Sequence, residues 1–293
     1  MKTVAILGLG LMGGSLGLAL KAGRRDVTVR GYARRAETRE EALRRGAVDE
    51  VYDEAGAAVE QADLAVFCVP ILAIPPLVSH CRAHLAPGCL LTDVGSTKAY
   101  LVGQIGSRLQ GTTAVFIGSH PIAGSEQQGI GAARAGLYQG AVVVVTPGPE
   151  APPAAIRALR SFWEGVGGVV RVMDPEEHDQ VMARTSHLPH LAAALLASAV
   201  GREDDPARWV ELCGTGFRDT TRIAEGSPEV WHDIIRTNAG HAIEELRVFA
   251  SEVTQLSNLI EEGQFDSMKT FLEKARARRR ALVRERVGED AQG

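Results

Sequence analysis

Short apolar runs alternate with helical patterns along roughly the first 170 residues of the chain. The runs are rich in valine, isoleucine and leucine and are continuous, which is typical of strands covered on both faces in a parallel sheet. Seven of them are strand candidates, at residues 4–7, 27–31, 64–69, 89–92, 114–117, 141–145 and 168–172. Helical patterns lie between them, for example at 16–22, 38–45 and 156–166. This alternation predicts an α/β domain built as a doubly wound parallel sheet.

The pattern changes after Asp174-Pro175, where the strand candidates end. The segments that follow are almost entirely helical in pattern and lie at residues 176–200, 209–212, 228–259 and 265–287. We therefore predict two domains, an α/β domain over residues 1–173 and an all-helical domain over residues 174–293. Residues 192–200 are so apolar that we expect them to be buried, either in the core or against a second subunit.

Composition narrows the classes of partner. The chain has 293 residues, is 45% hydrophobic and has a formal net charge of −4, so we expect neither nucleic acid nor an anionic membrane as a partner. Residues 274–286 are strongly basic, but apolar residues at helical spacing accompany them, which favours a solvated helix face. The four cysteines form no CxxC pair, and the N-terminal apolar stretch has no convincing cleavage site. We expect a cytoplasmic protein with reduced thiols.

Three glycines at Gly8-x-Gly10-x-x-Gly13 directly follow the first apolar run and open a helical pattern. In a Rossmann-type domain the first glycine makes the tight turn, the second admits the pyrophosphate and the third lets helix and strand pack closely. The helix N-terminus then binds the anion. The position of the motif in a repeating βα pattern therefore predicts a dinucleotide-binding site.

The residues that follow the second apolar run, 27–31, indicate whether the dinucleotide is NAD or NADP. NAD-binding domains usually place an acidic residue there for the ribose hydroxyls, whereas this chain has Ala33-Arg34-Arg35. A guanidinium grips a 2′-phosphate that a carboxylate would repel, so Arg34 and Arg35 favour NADP. The alternatives are that both arginines are solvent-exposed at a helix start, or that one stacks on adenine and the cofactor is NAD.

Candidate chemistry follows the fourth and fifth apolar runs. Ser96 comes shortly after residues 89–92, and His120 comes shortly after residues 114–117. Parallel strands carry their chemistry at their carboxyl ends, so both side chains are expected at one edge of the sheet. Two structural alternatives stay open. His120 could be a loop residue at a strand end, and Ser96 could be a helix N-cap.

The helical part adds two histidines and an arginine. His187 and His190 are three residues apart, which places them on one helix face. Zinc binding is an alternative, but the spacing is not HExxH and no third ligand is evident, so we expect no metal. Arg222 lies in a glycine-opened segment and is a natural partner for a carboxylate, although it could be a surface charge.

Taken together, these motifs resemble the prephenate/arogenate dehydrogenases of tyrosine biosynthesis. The resemblance extends from residue 4 to about residue 271 and keeps the order and spacing of the family. It rests on GLGLMGGSLG at 8–17, DVGSTK at 93–98, GSHPIAGSE at 118–126, HD at 178–179, SHLPH at 186–190 and GTGFRDTTRIA at 214–224.

The resemblance implies NAD(P)-dependent oxidative decarboxylation of prephenate to 4-hydroxyphenylpyruvate, or of arogenate to tyrosine. His120 matches the family's catalytic histidine, which accepts or polarises the proton of the C4 hydroxyl. A neutral imidazole suits that role near neutral pH. Ser96 matches the serine that hydrogen-bonds both the histidine and the substrate hydroxyl.

The resemblance also implies the residues that bind the substrate. Arg222 matches the arginine that engages a substrate carboxylate, and His187 and His190 match substrate-side histidines. Glu126 and Asp179 match acidic residues of an ionic network with that arginine, which gates the site. Helical second domains of such dehydrogenases often pair two subunits, so we expect a homodimer formed through the helical domain.

Some points stay open. Gly214-Thr215-Gly216 stands where an all-glycine triplet is expected, so the loop approaching the substrate differs. The choice between prephenate and arogenate is not decided by these residues, and we expect no fused chorismate mutase or ACT domain. A β-hydroxyacid dehydrogenase is an alternative, but it needs a catalytic lysine, and residues 174–257 contain none. A non-catalytic dinucleotide-binding sensor would not need His120, Ser96 and Arg222 together.

Overall fold

The fold is built around an eight-stranded sheet. The computed structural model describes residues 1–23, 26–124, 127–202 and 210–287, with side chains up to residue 283. Its strands are β1 (Thr3–Leu7), β2 (Thr28–Tyr32), β3 (Glu50–Tyr52), β4 (Leu64–Phe67), β5 (Leu90–Asp93), β6 (Val115–Pro121), β7 (Val142–Pro147) and β8 (Val169–Val172). Their order across the sheet is β3-β2-β1-β4-β5-β6-β7-β8. All neighbours are parallel except β6 and β7. This architecture confirms the predicted α/β class.

Helices alternate with the strands along the chain, and only helices follow the last strand in the described residues. Their bounds are α1 (Leu11–Gly23), α2 (Ala36–Arg44), α3 (Ala55–Val59), α4 (Ile74–Cys81), α5 (Ala99–Arg108), α6 (Pro153–Gly165), α7 (Pro175–Met182), α8 (Leu188–Val200), α9 (Thr215–Thr221), α10 (Pro228–Thr237), α11 (Ala239–Glu261) and α12 (Phe265–Val287). A π-helical turn, Ala183–His187, separates α7 from α8, so the helix predicted over 176–200 is interrupted. None of the described helices is long and apolar enough to cross a membrane.

Strand β1 shows why the apolar runs are continuous. Val4 and Ile6 belong to the hydrophobic cluster on one face of the sheet, whereas Ala5 and Leu7 belong to the cluster on the other face. Successive side chains of a strand point to opposite faces, so a strand covered on both sides needs apolar residues at every position.

Two features of the sheet differ from the prediction. Strand β3 was missed because it has only three residues and begins with the exposed Glu50. Strand β7 runs antiparallel to β6, with Ile117 opposite Pro147 and Pro121 opposite Val143. A parallel return needs a long crossover, usually a helix. The described residues between β6 and β7 form only short 3₁₀ turns, so the chain reverses direction there.

The chain forms two compact units, residues 1–242 and 243–293. The first contains the sheet and the helices as far as α10, and the second contains most of α11 and all of α12. The predicted division at 173/174 stays a prediction. Within the first unit, the apolar end of α8 is not in the core, since Leu195 is 56% exposed and Leu196 38% exposed. Ala193 is only 2% exposed, so within residues 192–200 the expected burial in the core of this chain holds for Ala193 and fails for these two leucines.

Candidate active site

The glycine turn after β1 has the form that the motif predicts. Gly8 has φ 109°, and a Cβ there would overlap the carbonyl oxygen of Cys68. A Cβ at Gly13 would overlap the carbonyl oxygen of Gly8, which would force α1 away from β1. Gly10 faces open space within 4 Å of its Cβ position. The turn therefore offers a surface that a pyrophosphate can approach closely, next to the N-terminus of α1.

A cavity of about 480 Å³ lies at this turn. Its lining comes from the glycine turn, from the carboxyl ends of β4 and β5, and from α10, and it includes Gly10, Cys68, Gly95, Ser96 and Trp231. The structure thus brings the predicted cofactor turn and Ser96 into one cavity. These residues fit a dinucleotide, since the glycines leave room for the phosphates and the cavity continues across the sheet edge.

The end of β2 carries the two predicted arginines. Arg34 and Arg35 are exposed just before α2, and no acidic residue stands between Tyr32 and Ala36. Arg39 was missed by the sequence analysis. Its Nη1 donates to the carbonyl oxygens of Ala33 at 2.8 Å and Arg34 at 3.0 Å. Arg39 therefore holds the loop that presents the exposed pair.

His120 lies within β6 rather than in a turn after it. The apolar run ends at Ile117, but the strand continues to Pro121, and His120 pairs with Val144 of β7. The neighbouring Ser119 points to the opposite face, where its Oγ accepts from Trp163 Nε1 at 3.0 Å. The alternative of His120 as a loop residue is therefore wrong, because β7 extends the pairing where β5 ends.

A buried ion pair holds β6 beside His120. Lys98 and Asp93 form a salt bridge, with both side chains fully buried. Asp93 Oδ1 accepts from the Ser119 N–H at 3.1 Å, and Lys98 Nζ donates to the Ser119 carbonyl oxygen at 2.8 Å. Strands β5 and β6 pair only at Leu90–Leu91 with Val115–Phe116. The ion pair thus supplies the hydrogen bonds that a sheet partner would otherwise give to Ser119.

A chain of hydrogen bonds leads from His120 into the protein. His120 Nδ1 lies 2.9 Å from His178 Nε2, and His178 Nδ1 lies 2.8 Å from Asp179 Oδ1. Burial lowers the pKa of His120 well below its usual value, and the neighbouring His178 and Lys98 side chains add to the effect. His120 is therefore a neutral imidazole near pH 7.

Asp179 also caps the N-terminus of α5. Its carboxylate accepts from the backbone N–H of Lys98 at 2.7 Å and of Ala99 at 3.0 Å. The helix begins at Ala99 and no side chain of its own segment caps it, so the alternative of Ser96 as the N-cap is wrong. Ser96 is left partly exposed in the cavity, and the cap comes from a residue about 80 positions further along the chain.

His187 and His190 both contact the indole of Trp231. The ring of His190 stacks on Trp231 at 3.5 Å between centroids, and the ring of His187 meets Trp231 edge-on at 6.1 Å. His187 ends the π-helical turn, a feature frequent at functional sites. Burial lowers the pKa of His187 to about 4 and also lowers that of His190, so both rings are neutral.

Asn238 connects these histidines to Asp179. Its Nδ2 donates to the backbone carbonyl oxygen of Asp179 at 2.7 Å and lies 3.3 Å from His187 Nδ1. His187 Nε2 is buried and has no hydrogen-bond partner within the described ranges. No sequence pattern indicated Asn238, Trp231 or the role of His178; only the His178-Asp179 pair carried a signal, as part of a motif.

Arg222 is exposed and begins a 3₁₀ turn after α9. The next residue of this turn, Ile223, lines a second cavity of about 360 Å³, together with His190 and Trp231. Glu126 lies outside the described residues. In the described part of the chain, no group of three or more His, Cys, Asp or Glu side chains could hold a metal ion.

Two family descriptions match consecutive parts of the chain. Residues 16–172 match "Prephenate dehydrogenase, nucleotide-binding domain", and residues 174–274 match "Prephenate dehydrogenase, dimerization domain". Among curated relatives, the cyclohexadienyl dehydrogenase of Zymomonas mobilis is 33% identical over 283 residues, which are 96% of this chain and 96% of that protein.

Solved structures agree with these matches. The structure of prephenate dehydrogenase from Aquifex aeolicus in complex with hydroxyphenyl propionate and NAD⁺ has a TM-score of 0.90 at 29% identity and covers 96% of this chain and 98% of that chain. The Synechocystis arogenate dehydrogenase has a TM-score of 0.82 at 32% identity and covers 96% of this chain and all of that one.

Proposed function

Because the chain belongs to the prephenate dehydrogenase family, we propose that it catalyses the NAD(P)-dependent oxidative decarboxylation of prephenate, of arogenate or of both. The observation that carries the proposal is the environment of His120. This residue is a neutral imidazole, held at Nδ1, at the sheet edge that also carries the glycine turn. Neither a β-hydroxyacid dehydrogenase nor a non-catalytic sensor accounts for this environment together with the family match.

In the proposed reaction, His120 moves one proton and returns it. A nicotinamide dinucleotide held at the cavity lined by Gly10 and Gly95 would supply the acceptor for the hydride that leaves C4 of the substrate ring. The proton of the C4 hydroxyl passes to His120 Nε2 as the hydride leaves, with Ser96 orienting the hydroxyl. The bond from C1 to the carboxylate then breaks, CO₂ departs and its electron pair makes the ring aromatic. The proton returns to the oxygen, so the product is a phenol and His120 is neutral again.

The substrate-side groups are proposed to be Arg222, His187 and His190. A guanidinium binds a carboxylate bidentately, and His187 Nε2, which is buried and has no hydrogen-bond partner among the described residues, is available for a polar atom of the substrate. Asp179 is proposed here in a different role from the ionic network implied by the resemblance. It is 1% exposed, and its oxygens contact Lys98, Ala99 and His178, so it positions other groups rather than contacting substrate.

For the cofactor, we propose NADP in preference to NAD. The support is the exposed pair Arg34 and Arg35 on a loop fixed by Arg39, without an acidic residue between β2 and α2. A 2′-phosphate would meet cations there, whereas the 2′-hydroxyl of NAD would find no carboxylate to accept its hydrogen bond.

A four-way steady-state assay tests activity and cofactor together. Prephenate and arogenate are each combined with NADP and NAD, and both reduced nicotinamide and CO₂ are measured. We expect kcat/KM to be about tenfold or more higher with NADP for whichever substrate is used, as one well-placed charged contact gives. No turnover in any combination would contradict the function, and a clear preference for NAD would contradict only the cofactor assignment.

We also propose that the helical part forms a homodimer. Its exposed apolar side chains include Leu195 and Leu196 on α8 and, in the second compact unit, Val253 and Phe265. Exposed apolar surface of this kind marks an interaction site, and the matched family carries the description of a dimerization domain. Sedimentation equilibrium should give twice the chain mass of 31.2 kDa, and a monomer at micromolar concentration would overturn the proposal.

A further inference from the structure

We propose that Asp179 sets the hydrogen-bonding polarity of two site histidines through two positioning residues, His178 and Asn238. Through His178 it makes His120 Nε2 a proton acceptor, and through Asn238 it makes His187 Nε2 a proton donor. The arrangement of protons follows from the contacts alone. Only its consequence for catalysis rests on the proposed function.

The starting point is the charge of Asp179. The residue is 1% exposed, and its side chain accepts from two backbone N–H groups at the N-terminus of α5. A helix N-terminus stabilises a negative charge, and these hydrogen bonds favour the ionised form. Asp179 is therefore a carboxylate, which accepts hydrogen bonds and donates none.

The first branch runs through His178. Because the carboxylate accepts only, His178 Nδ1 carries the proton that bridges the 2.8 Å to Asp179 Oδ1. A second proton on this ring would add a buried cation to a cluster that already holds the Lys98 ammonium, so the ring is neutral and Nε2 is bare. His120 Nδ1, 2.9 Å away, must then be the donor. A neutral His120 has one proton, which leaves its Nε2 with a free lone pair.

The second branch runs through Asn238. A carbonyl oxygen only accepts, so the 2.7 Å contact between Asn238 Nδ2 and the Asp179 backbone oxygen fixes which end of the amide faces inward. The second proton of that NH₂ group faces His187 Nδ1 at 3.3 Å, so Nδ1 is the acceptor. The single proton of neutral His187 then lies on Nε2, the atom that is buried without a partner in the described chain.

The two rings thus differ at Nε2 although they belong to one hydrogen-bond network: His120 Nε2 is an acceptor and His187 Nε2 is a donor. A substrate that carries both a hydroxyl and carboxylates needs such a pair, because one ring takes the hydroxyl proton and the other donates to a carboxylate oxygen. If His178 lost its link to Asp179, His120 would no longer be held in the form with a bare Nε2. The wrong tautomer of a general base removes its function while leaving its position intact.

Ring-¹⁵N chemical shifts of the histidine-labelled protein test the assignment directly, since protonated and bare nitrogens are well separated. His120 is assigned from the spectrum of His120→Asn and His187 from that of His187→Asn. We expect His120 to be protonated at Nδ1 and His187 at Nε2. The same tautomer for both rings, or a proton on His120 Nε2, would overturn the proposal.

Kinetics of matched variants test the consequence. His178→Leu removes the acceptor that faces His120, whereas His178→Gln keeps an amide oxygen at the end of the side chain. We expect His178→Leu to lower kcat on the order of 10²-fold with KM changed little, and His178→Gln to recover most of the loss. Asn238→Ala should instead raise the substrate KM about tenfold, the effect of losing one ordered hydrogen bond to a charged group, with a smaller change in kcat.

The outcomes separate the two proposals. If the wild-type protein turns over neither prephenate nor arogenate but has the expected tautomers, the function is wrong and the network stands. If it is active and His178→Leu retains both kcat and the His120 tautomer, the network is wrong and the function stands. Thermal unfolding and cofactor binding of each variant are compared with those of the wild type. Partial unfolding would lower the unfolding temperature and cofactor binding together with kcat, whereas loss of the hydrogen-bond network would lower kcat alone.

Discussion

The His120→Asn variant is expected to lose a factor on the order of 10²–10⁴ in kcat, the usual contribution of a general base, while cofactor affinity stays unchanged. Asparagine matches the histidine as far as Nδ1, so its amide N–H still reaches His178, and β6 keeps its pairing with β7. Only the ring nitrogen that takes the hydroxyl proton is lost. Steady-state kinetics with saturating cofactor, together with a titration of cofactor binding, measure both quantities.

The pH dependence of the wild type gives a second measure of the same role. A base works in its unprotonated form, and burial lowers the pKa of His120 well below its usual value. The imidazole therefore stays competent as the pH falls through 6.5, the ordinary pKa of histidine. The kcat/KM profile should remain level through that value and fall only at lower pH.

His84→Asn serves as the matched control for His120→Asn. This histidine is exposed and contacts Glu60 at 3.1 Å, and it takes no part in the hydrogen bonds that link His120 to His178 and Asp179. Its replacement should leave kcat and KM within about twofold of wild type, as for other surface substitutions that cost little free energy. Near-normal turnover in His120→Asn, or an equal loss in both variants, would refute the assignment of His120 as the base.

Local patterns were sufficient for much of the fold. Continuous apolar runs predicted every strand except β3, and the signal is clearest for strands such as β1 and β4 that are buried on both faces. The glycine spacing predicted the turn between β1 and α1, because a Cβ atom at Gly8 or at Gly13 would overlap a neighbouring backbone carbonyl oxygen. Polar residues at the end of β6 gave no such signal, so the strand was expected to end before His120.

The network around His120 could not be predicted in the same way, because its contacts are distant in sequence. His178 lies 58 positions after His120, and the carboxylate that caps α5 lies 81 positions after Lys98. A capping residue is normally sought just before its helix, which is why Ser96 was considered. The family resemblance pointed to Asp179 as a site residue, but it could not show that its oxygens are used by backbone N–H groups and by His178.

The Lys98→Met variant is expected to lose about 3–5 kcal/mol of unfolding free energy, the usual effect of leaving one member of a buried ion pair uncompensated. Methionine fills most of the space but leaves the fully buried Asp93 without its cation and the Ser119 carbonyl oxygen without a donor. For a chain of this length the midpoint of thermal unfolding should fall on the order of 10 °C. Calorimetry or circular dichroism in one buffer measures the shift.

Two further variants make the Lys98→Met result specific. Lys21→Met removes one member of a partly exposed pair, Lys21 with Asp49 at 2.7 Å, and should cost no more than about 1 kcal/mol. Combining Lys98→Met with Asp93→Asn removes both buried charges and should recover part of the stability, because no unpaired ion then remains inside the protein. If Lys98→Met is no less stable than Lys21→Met, the pair does not hold β6. If the single variant fails to fold, the double variant still tests the argument, since it should fold and keep His120 in place.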